Sequence, residues 1–186
     1  QTTSGGNATD LIISEYVEGS SNNKYIEIYN GTGSSVNLSN YKLQQYANGG
    51  SSATNDVTLS GTLANNATIV YQNSSAALTL PNGVTGVNNA AVAFNGDDAI
   101  ALYKISTSSY VDIFGRIGDD PGTAWTGTGS YTTLDKTLVR KSSVTGGITT
   151  SPSGTGATAF TTLTTEWDMY NIDVVANLGS HTFTGA

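Results

Sequence analysis

Cysteine is absent from the 186-residue sequence. A disulfide framework and a thiolate metal site are therefore both excluded. Charged residues are scarce as well, at 11% against about 25% in typical soluble proteins. Long solvent-exposed helices usually carry Glu and Lys, so this shortage disfavours them. No stretch approaches the roughly 18 to 20 apolar residues that span a bilayer, and we predict no membrane span.

Serine, threonine, asparagine and 22 glycines take the place of the missing charges. Thr, Val, Ile and Tyr favour strands, because branched and aromatic side chains pack well on a pleated surface. The formal net charge is −7 and the sequence pI is about 4.3. An acidic chain repels phosphate backbones, which disfavours nucleic acid as a partner and suits cations or partners recognised by shape.

The strand pattern is clearest where Ile26 and Ile28 share one face and Glu27 lies on the other. Similar short segments recur at spacings of about 8 to 12 residues, which predicts an all-β sandwich in one domain at 10–186. Residues 1–9 are polar and predict a flexible N-terminal segment. Long loops rich in Gly, Ser, Thr and Asn are predicted at 47–55, 73–91 and 145–158.

Two acidic turns are candidates for metal binding, because calcium takes several carboxylate and carbonyl oxygens. The four candidate ligands are Asp97, Asp98, Asp119 and Asp120. Both sequences are also typical of turns that bind no metal. The NGDD sequence at 95–98 predicts a tight hairpin between strands at 91–94 and 99–104, and Asp-Pro-Gly is a common turn. The EF-hand spacing is absent, so a calcium site requires separate loops to meet.

Two arrangements raise the question of hydrolysis. Glu15 and Glu27 fall on neighbouring predicted strands, and glycosidases hold two carboxyl groups about 5 to 10 Å apart. His181, the single histidine, would serve a Ser-His-Asp triad with Asp173 or Asp168 as its orienting group. The sequence has no Gly-x-Ser-x-Gly elbow, and each glutamate lies inside an alternating strand. We therefore predict that the chain is not an enzyme.

Two aromatic residues outside the strand pattern are candidates for partner binding. Trp125 falls in a predicted long loop, and Tyr131 follows in the same loop. Together they could form a platform for a sugar or a protein, because aromatic rings combine a large apolar face with a polar edge. The alternative is an ordinary structural role.

Several blocks of the sequence together resemble bacterial lamin-tail domains. The longest is LIISEYVEGSSNNKYIEIYN at 11–30, and the others stand in family order. They are VNLSNYKL at 36–43, NGDDAIAL at 95–102, VDIFG at 111–115, TLVRK at 137–141, EWD at 166–168 and LGSHT at 178–182. The resemblance implies an immunoglobulin-like β-sandwich without catalytic residues, and it places His181 in a terminal strand.

The function that the resemblance implies is a non-catalytic structural or binding module. We expect it to be secreted, extracellular or on a bacterial cell surface, and to bind a protein, a glycan or copies of itself. The polar start at 1–6 fits a mature N-terminus left by signal-peptide removal, and equally a chain boundary. The alternative function is an accessory domain of an extracellular nuclease or phosphatase, since the family's bacterial domains are often appended to such enzymes.

Overall fold

The computed structural model describes residues 6–185, and strands dominate it. Their bounds are β1 Ile12–Glu18, β2 Lys24–Tyr29, β3 Val36–Asn37, β4 Tyr41–Tyr46, β5 Asn55–Thr58, β6 Thr62–Leu63, β7 Thr68–Gln72, β8 Gly86–Asn88, β9 Ala99–Lys104, β10 Ser109–Phe114, β11 Thr137–Arg140 and β12 Trp167–Tyr170. The alternating segment around Ile26 and Ile28 forms β2, and the predicted strand at 99–104 forms β9, because branched and aromatic residues fill them.

Two sheets form the sandwich. The larger has six strands in the order β12-β11-β1-β2-β7-β8, and all its neighbours are antiparallel except the β7–β8 pair. The smaller has four antiparallel strands in the order β10-β9-β4-β5. Strands β3 and β6 pair separately beside them. Each sheet therefore ends in two edge strands: β12 and β8, and β10 and β5.

The main core lies between the facing sides of the two sheets. Ile26 and Ile28 of the larger sheet share one buried cluster with Leu43 and Leu102 of the smaller sheet. The Tyr16 ring stacks between two phenylalanine rings, with centroid separations of 4.7 Å to Phe94 and 4.1 Å to Phe114. This packing confirms the prediction of an all-β, immunoglobulin-like sandwich.

The predicted hairpin around residues 95–98 is wrong in one arm. A turn forms there, with Asp98 N donating to Asn95 O at 3.1 Å, but residues 91–94 form no strand. Side-chain amides satisfy that backbone instead: Asn73 Nδ2 donates to Val92 O, and Gln45 Nε2 donates to Ala93 O. Strand β9 pairs with β10 and β4.

In the described part of the chain, helical structure is limited to three short pieces. Two are 3-10 helices at Leu38–Asn40 and Ala157–Ala159, and the third is an α-helix, α1, at Leu163–Glu166. Within residues 6–185, no helix has the length and apolar character that a membrane crossing requires.

The domain boundary at residue 10 stays a prediction, and residues 1–5 of the predicted flexible segment lie outside the described residues. At its other end, Ala8 is buried and its N–H donates to Gly31 O at 2.8 Å. Thr9 N donates to Thr145 O, also at 2.8 Å. Residues 8 and 9 therefore contact the sandwich.

Irregular chain covers the outer face of the larger sheet. Residues 174–185, called here the C-terminal segment, contribute Val175 and Leu178 to a second apolar cluster. Val17 and Tyr25 supply the sheet side of this cluster, and a loop at 76–84 completes it. Thr137 Oγ1 donates to Val174 O at 2.8 Å and holds the start of the segment. The central strands β1 and β2 are therefore buried on both faces.

Candidate functional site

A β-bulge in β1 brings two residues opposite one glutamate on the outer face. The register shifts between Ile13 and Glu15, so that Ile13 pairs with Ile28 and Glu15 pairs with Glu27. In a bulge, two residues of one strand face a single residue of the other. Ser14 is the inserted residue, and its hydroxyl donates to Glu27 Oε1 at 2.7 Å. The two glutamates that the sequence singled out therefore meet.

The carboxyl group of Glu27 has protein donors, and that of Glu15 has none. Besides Ser14, the backbone N–H of Gly179 donates to Glu27 Oε2 at 2.7 Å. Both carboxyl oxygens of Glu15 are buried, and neither accepts a hydrogen bond within residues 6–185. Both glutamates are only 1% exposed. Because Gly179 belongs to the C-terminal segment, that segment lies directly over the pair.

Burial controls the charge of both groups. Burial, with a smaller contribution from the neighbouring Glu27, raises the pKa of Glu15 to about 9. Burial also raises the pKa of Glu27 to about 7, although the hydrogen bonds from Ser14 and Gly179 act in the opposite direction. A buried carboxyl group avoids ionisation when no partner compensates its charge. Glu15 therefore keeps its proton at neutral pH.

His181 lies in the same covering segment, in irregular chain rather than the expected terminal strand. Its ring lies 5.0 Å from the Tyr29 ring, centroid to centroid, and its Nε2 is buried without a hydrogen-bond partner in the described chain. Burial lowers the pKa of His181 to about 4, and the charge of Arg140 adds to this effect. The imidazole is therefore neutral at pH 7.

This arrangement does not give the glutamate pair access to a substrate. General acid–base catalysis requires the catalytic group to reach the proton that it moves. Glu15 and Glu27 are sealed between the sheet and the C-terminal segment, and Glu27 is held by structural donors. The pair supports the position of the segment, which is a structural role.

A polar cavity opens beside the covered pair, between the C-terminal segment and strands β11 and β12. Its volume is about 290 Å³. It is lined by Val139, Arg140, Asp168, Tyr170, Asn177 and His181 with three neighbouring hydroxyl side chains. Asp168 Oδ1 accepts from Lys141 Nζ at 2.7 Å on the rim. The cavity is large enough for one side chain or one small polar ligand.

The four candidate calcium ligands lie on loops at one end of the sandwich. Asp98 accepts from Gln45 Nε2 at 2.9 Å and from two backbone N–H groups. Asp119 and Asp120 accept from backbone N–H groups of Gly156 and Gly122. Within residues 6–185, no three His, Asp or Glu side chains are grouped to hold a metal ion.

Asp97 differs from the other three aspartates. Its Oδ1 is buried without a hydrogen-bond partner in the described part of the chain. Partial burial raises the pKa of Asp97, and the charges of Asp98 and Asp120 add to the shift. The calcium hypothesis therefore depends most on this one side chain.

The expected aromatic platform is not formed, because Trp125 is fully buried. The indole Nε1 of Trp125 donates to the backbone oxygen of Asp98 at 2.9 Å. The backbone N–H of Trp125 donates to Thr133 Oγ1 at 3.0 Å. Tyr131 is half-buried and packs against the main core. Trp125 therefore anchors its loop to the sandwich and offers no ring face to a partner.

The sheet edges are the accessible features that the sequence patterns did not locate. Edge strand β10 is covered by residues 145–151, where Ile148 N donates to Asp112 Oδ1 at 3.0 Å. Gly147 approaches so closely that a Cβ added there would stand 2.1 Å from Val111 O. The outer edges of β5, β8 and β12 pair with no other strand among the described residues.

The sandwich and its sealed outer face define an immunoglobulin-like domain. The family model described as Lamin Tail Domain matches residues 5–118, which is more than half of the chain. The chain therefore belongs to the lamin tail domain family, whose members are non-enzymatic immunoglobulin-like domains. No curated protein and no solved structure matched the chain. Strands β11 and β12 lie beyond the matched range and complete the larger sheet.

Proposed function

We propose that this protein is a non-catalytic structural or binding module that acts outside the cell and presents sheet edges and loops to partners. The observation that carries the proposal is a contrast in access. The carboxyl pair that resembles an acid–base pair is sealed, whereas three of the four edges of the two large sheets are uncovered among the described residues. Uncovered edges present unpaired N–H and C=O groups, which pair readily with another chain.

Composition supports the extracellular part of the proposal. The chain has no cysteine and few charges, and its polar surface consists largely of hydroxyl and amide groups. Such a surface does not depend on the redox state of its surroundings, and it suits contacts by shape and hydrogen bonding. The partner classes we propose are a protein, a glycan or further copies of the chain.

Native mass spectrometry of the protein from its own source tests this function. We expect a larger assembly, or a complex with a partner. A strictly monomeric protein without any bound partner would overturn the proposal. Recovery of a nuclease or phosphatase as the partner would instead support the accessory-domain function. Hydrolase activity that disappears in Glu27→Gln, with the fold intact, would show that the chain is an enzyme.

Calcium binding at the acidic loops is a separate proposal, favoured by the free Oδ1 of Asp97. Calcium prefers carboxylate oxygens, and binding would satisfy this buried atom. The same mass measurement, repeated with a chelator, tests it. Loss of about 40 Da per site on chelation would support a bound calcium ion. An unchanged mass on chelation would contradict calcium binding. Asp97→Asn is the matched variant for this test.

A further inference from the structure

The free backbone groups of edge strand β12 can be identified from its pairing with β11. Lys141 N donates to Glu166 O at 2.8 Å, just before the paired region of β11 and β12. Bonded and non-bonded pairs alternate along an antiparallel ladder. The Val139–Asp168 pair is therefore bonded between the strands, and the N–H and C=O of Met169 point away from β11.

The surface beside this edge is apolar and acidic. Tyr170 and Ile172 are exposed by 42% and 41%, which is unusual for large apolar side chains in this protein. The side chain of Asp168 is half-exposed, and only its Oδ1 is engaged by Lys141. Asp173 follows at the same end of the strand, where both its carboxylate oxygens accept hydrogen bonds from Ser20. An edge of this kind offers backbone hydrogen bonds, an apolar ring and a carboxylate side by side.

The polar cavity adds a recess on the same face. Asp168 and Tyr170 line it together with His181, whose Nε2 has no partner in the described chain. Arg140 also lines the cavity, but Asp112 and Glu166 neutralise its charge. His181 is neutral at pH 7. The cation that already contacts Asp168 is Lys141, which occupies Oδ1 and leaves Oδ2 for a cationic side chain of a partner.

We propose that β12 binds an extended, basic segment of a partner protein as a seventh strand of the larger sheet. One lysine or arginine of that segment enters the polar cavity against Asp168, and its alkyl stem lies along Tyr170. The net charge of −7 favours a basic partner and accelerates its approach. Main-chain hydrogen bonds then supply affinity, and the cavity supplies specificity.

A second copy of the chain does not fit this role. The other uncovered edge strands, β5 and β8, contain no lysine or arginine. Salt bridges already engage Lys24, Lys42, Lys104, Arg140 and Lys141, which are five of the seven basic residues. The uncovered edge strands of a second copy therefore do not supply the complementary basic strand.

The proposal rests on the binding function proposed above, and a synthetic peptide tests it separately. The probe is an acetylated nine-residue peptide of alternating lysine and valine, and its glutamate–valine analogue is the charge control. We expect the basic peptide to bind and to slow amide hydrogen exchange at Met169. Binding of both peptides with equal affinity, or slowed exchange at β5 or β8 instead, would overturn the inference.

Methylated peptides test the backbone pairing without altering the protein. In an added strand, alternate N–H groups face β12 and the others face solvent. N-methylation of one alternate set should abolish binding, whereas methylation of the other set should leave it within about twofold. Equal tolerance of both sets would show that no strand is added.

Two matched variants test the charge. Asp168→Asn should weaken binding of the basic peptide by about fivefold. Asp56→Asn removes a comparable carboxylate, which pairs with Lys42 beside the β5 edge, and should leave binding unchanged. Equal effects of the two substitutions would show that the net charge of the protein, and not Asp168, attracts the peptide. If the peptide fails while native complexes persist, this inference falls and the binding function stands.

Discussion

Two clusters of buried ionisable side chains lie on opposite faces of the larger sheet. One pairs opposite charges, and the other brings two carboxyl groups together. On the core side, Arg140 bonds to both oxygens of Asp112, at 2.8 and 3.3 Å. Asp112 also accepts from the N–H groups of Ile13 and Ile148. On the outer side, Glu15 faces Glu27 without any donor of its own in the described chain.

One sheet can therefore bury ionisable side chains either as an ion pair or as protonated carboxyl groups. In the Arg140–Asp112 pair, each group is compensated by the other and by backbone groups. It connects β11 of the larger sheet to β10 of the smaller one. The Glu15–Glu27 pair is tolerated only because protonation removes charge from it. The first cluster therefore joins the sheets through paired groups, whereas the stability contributed by the second depends on pH.

The largest effect is expected from breaking the compensated pair. Asp112→Asn leaves Glu166 as the remaining carboxylate beside the buried Arg140 guanidinium, and breaking a buried ion pair costs about 3–5 kcal/mol. Urea denaturation at pH 7 measures the loss of unfolding free energy. A loss below about 1 kcal/mol would show that Arg140 does not depend on Asp112, and Asp56→Asn in the exposed Lys42 pair is the control.

The next effect concerns the pH dependence of the glutamate pair. Since the pKa of Glu15 is raised from 4.5 to about 9, its neutral form contributes stability that is complete below pH 4.5. That contribution is lost as the pH rises from 4.5 towards 9. We expect the unfolding free energy to fall steadily across this range, and by clearly less in Glu15→Gln. Equal slopes in the two proteins would contradict the account.

A smaller effect of opposite sign is expected from His181. Its pKa is lowered from 6.5 to about 4, so its contribution is present above pH 6.5 and lost as the pH falls towards 4. We expect a loss of about 1–2 kcal/mol, reduced by solvent because the ring is partly exposed. His181 is the only histidine, so its ring protons give one titration by NMR. A midpoint near 6.5 would show that the segment does not bury the ring.

The smallest effect is expected from an exposed pair on the same sheet. Lys141 and Asp168 are joined at 2.7 Å, but their side chains are 34% and 49% exposed. Surface ion pairs contribute about 0–1 kcal/mol. Lys141→Met should therefore change the urea midpoint little. A loss of unfolding free energy comparable to that of Asp112→Asn would mean that burial does not determine how much an ion pair stabilises this protein.

The sequence predicted the sandwich well where alternation was regular, as at Ile26, Glu27 and Ile28. It predicted a strand over residues 91–94 that does not form, because distant side-chain amides bind that backbone and no local pattern reveals them. It also left Trp125 in a loop without showing its burial. That burial depends on a hydrogen bond to the Asp98 carbonyl, 27 residues away.

The candidate site was predictable in its residues and not in its geometry. Glu15 and Glu27 were singled out on neighbouring strands, and the structure pairs them. The bulge at Ser14 was not predicted, since one inserted residue leaves no mark on a run of buried side chains. The cover over the pair comes from Gly179, 152 residues from Glu27. Sequence patterns act over a few residues and do not show such contacts.

The protonation state of Glu15 tests the sealed carboxyl pair most directly. Carbon-13 NMR of the glutamate carboxyl groups, with Glu15→Gln for assignment, follows its titration in the intact protein. We predict that Glu15 titrates far above its ordinary value, with a pKa of about 9. A pKa near 4.5 would mean that water reaches the carboxyl group. The C-terminal segment would then not seal the pair, and the distinction between a closed outer face and open sheet edges would be contradicted.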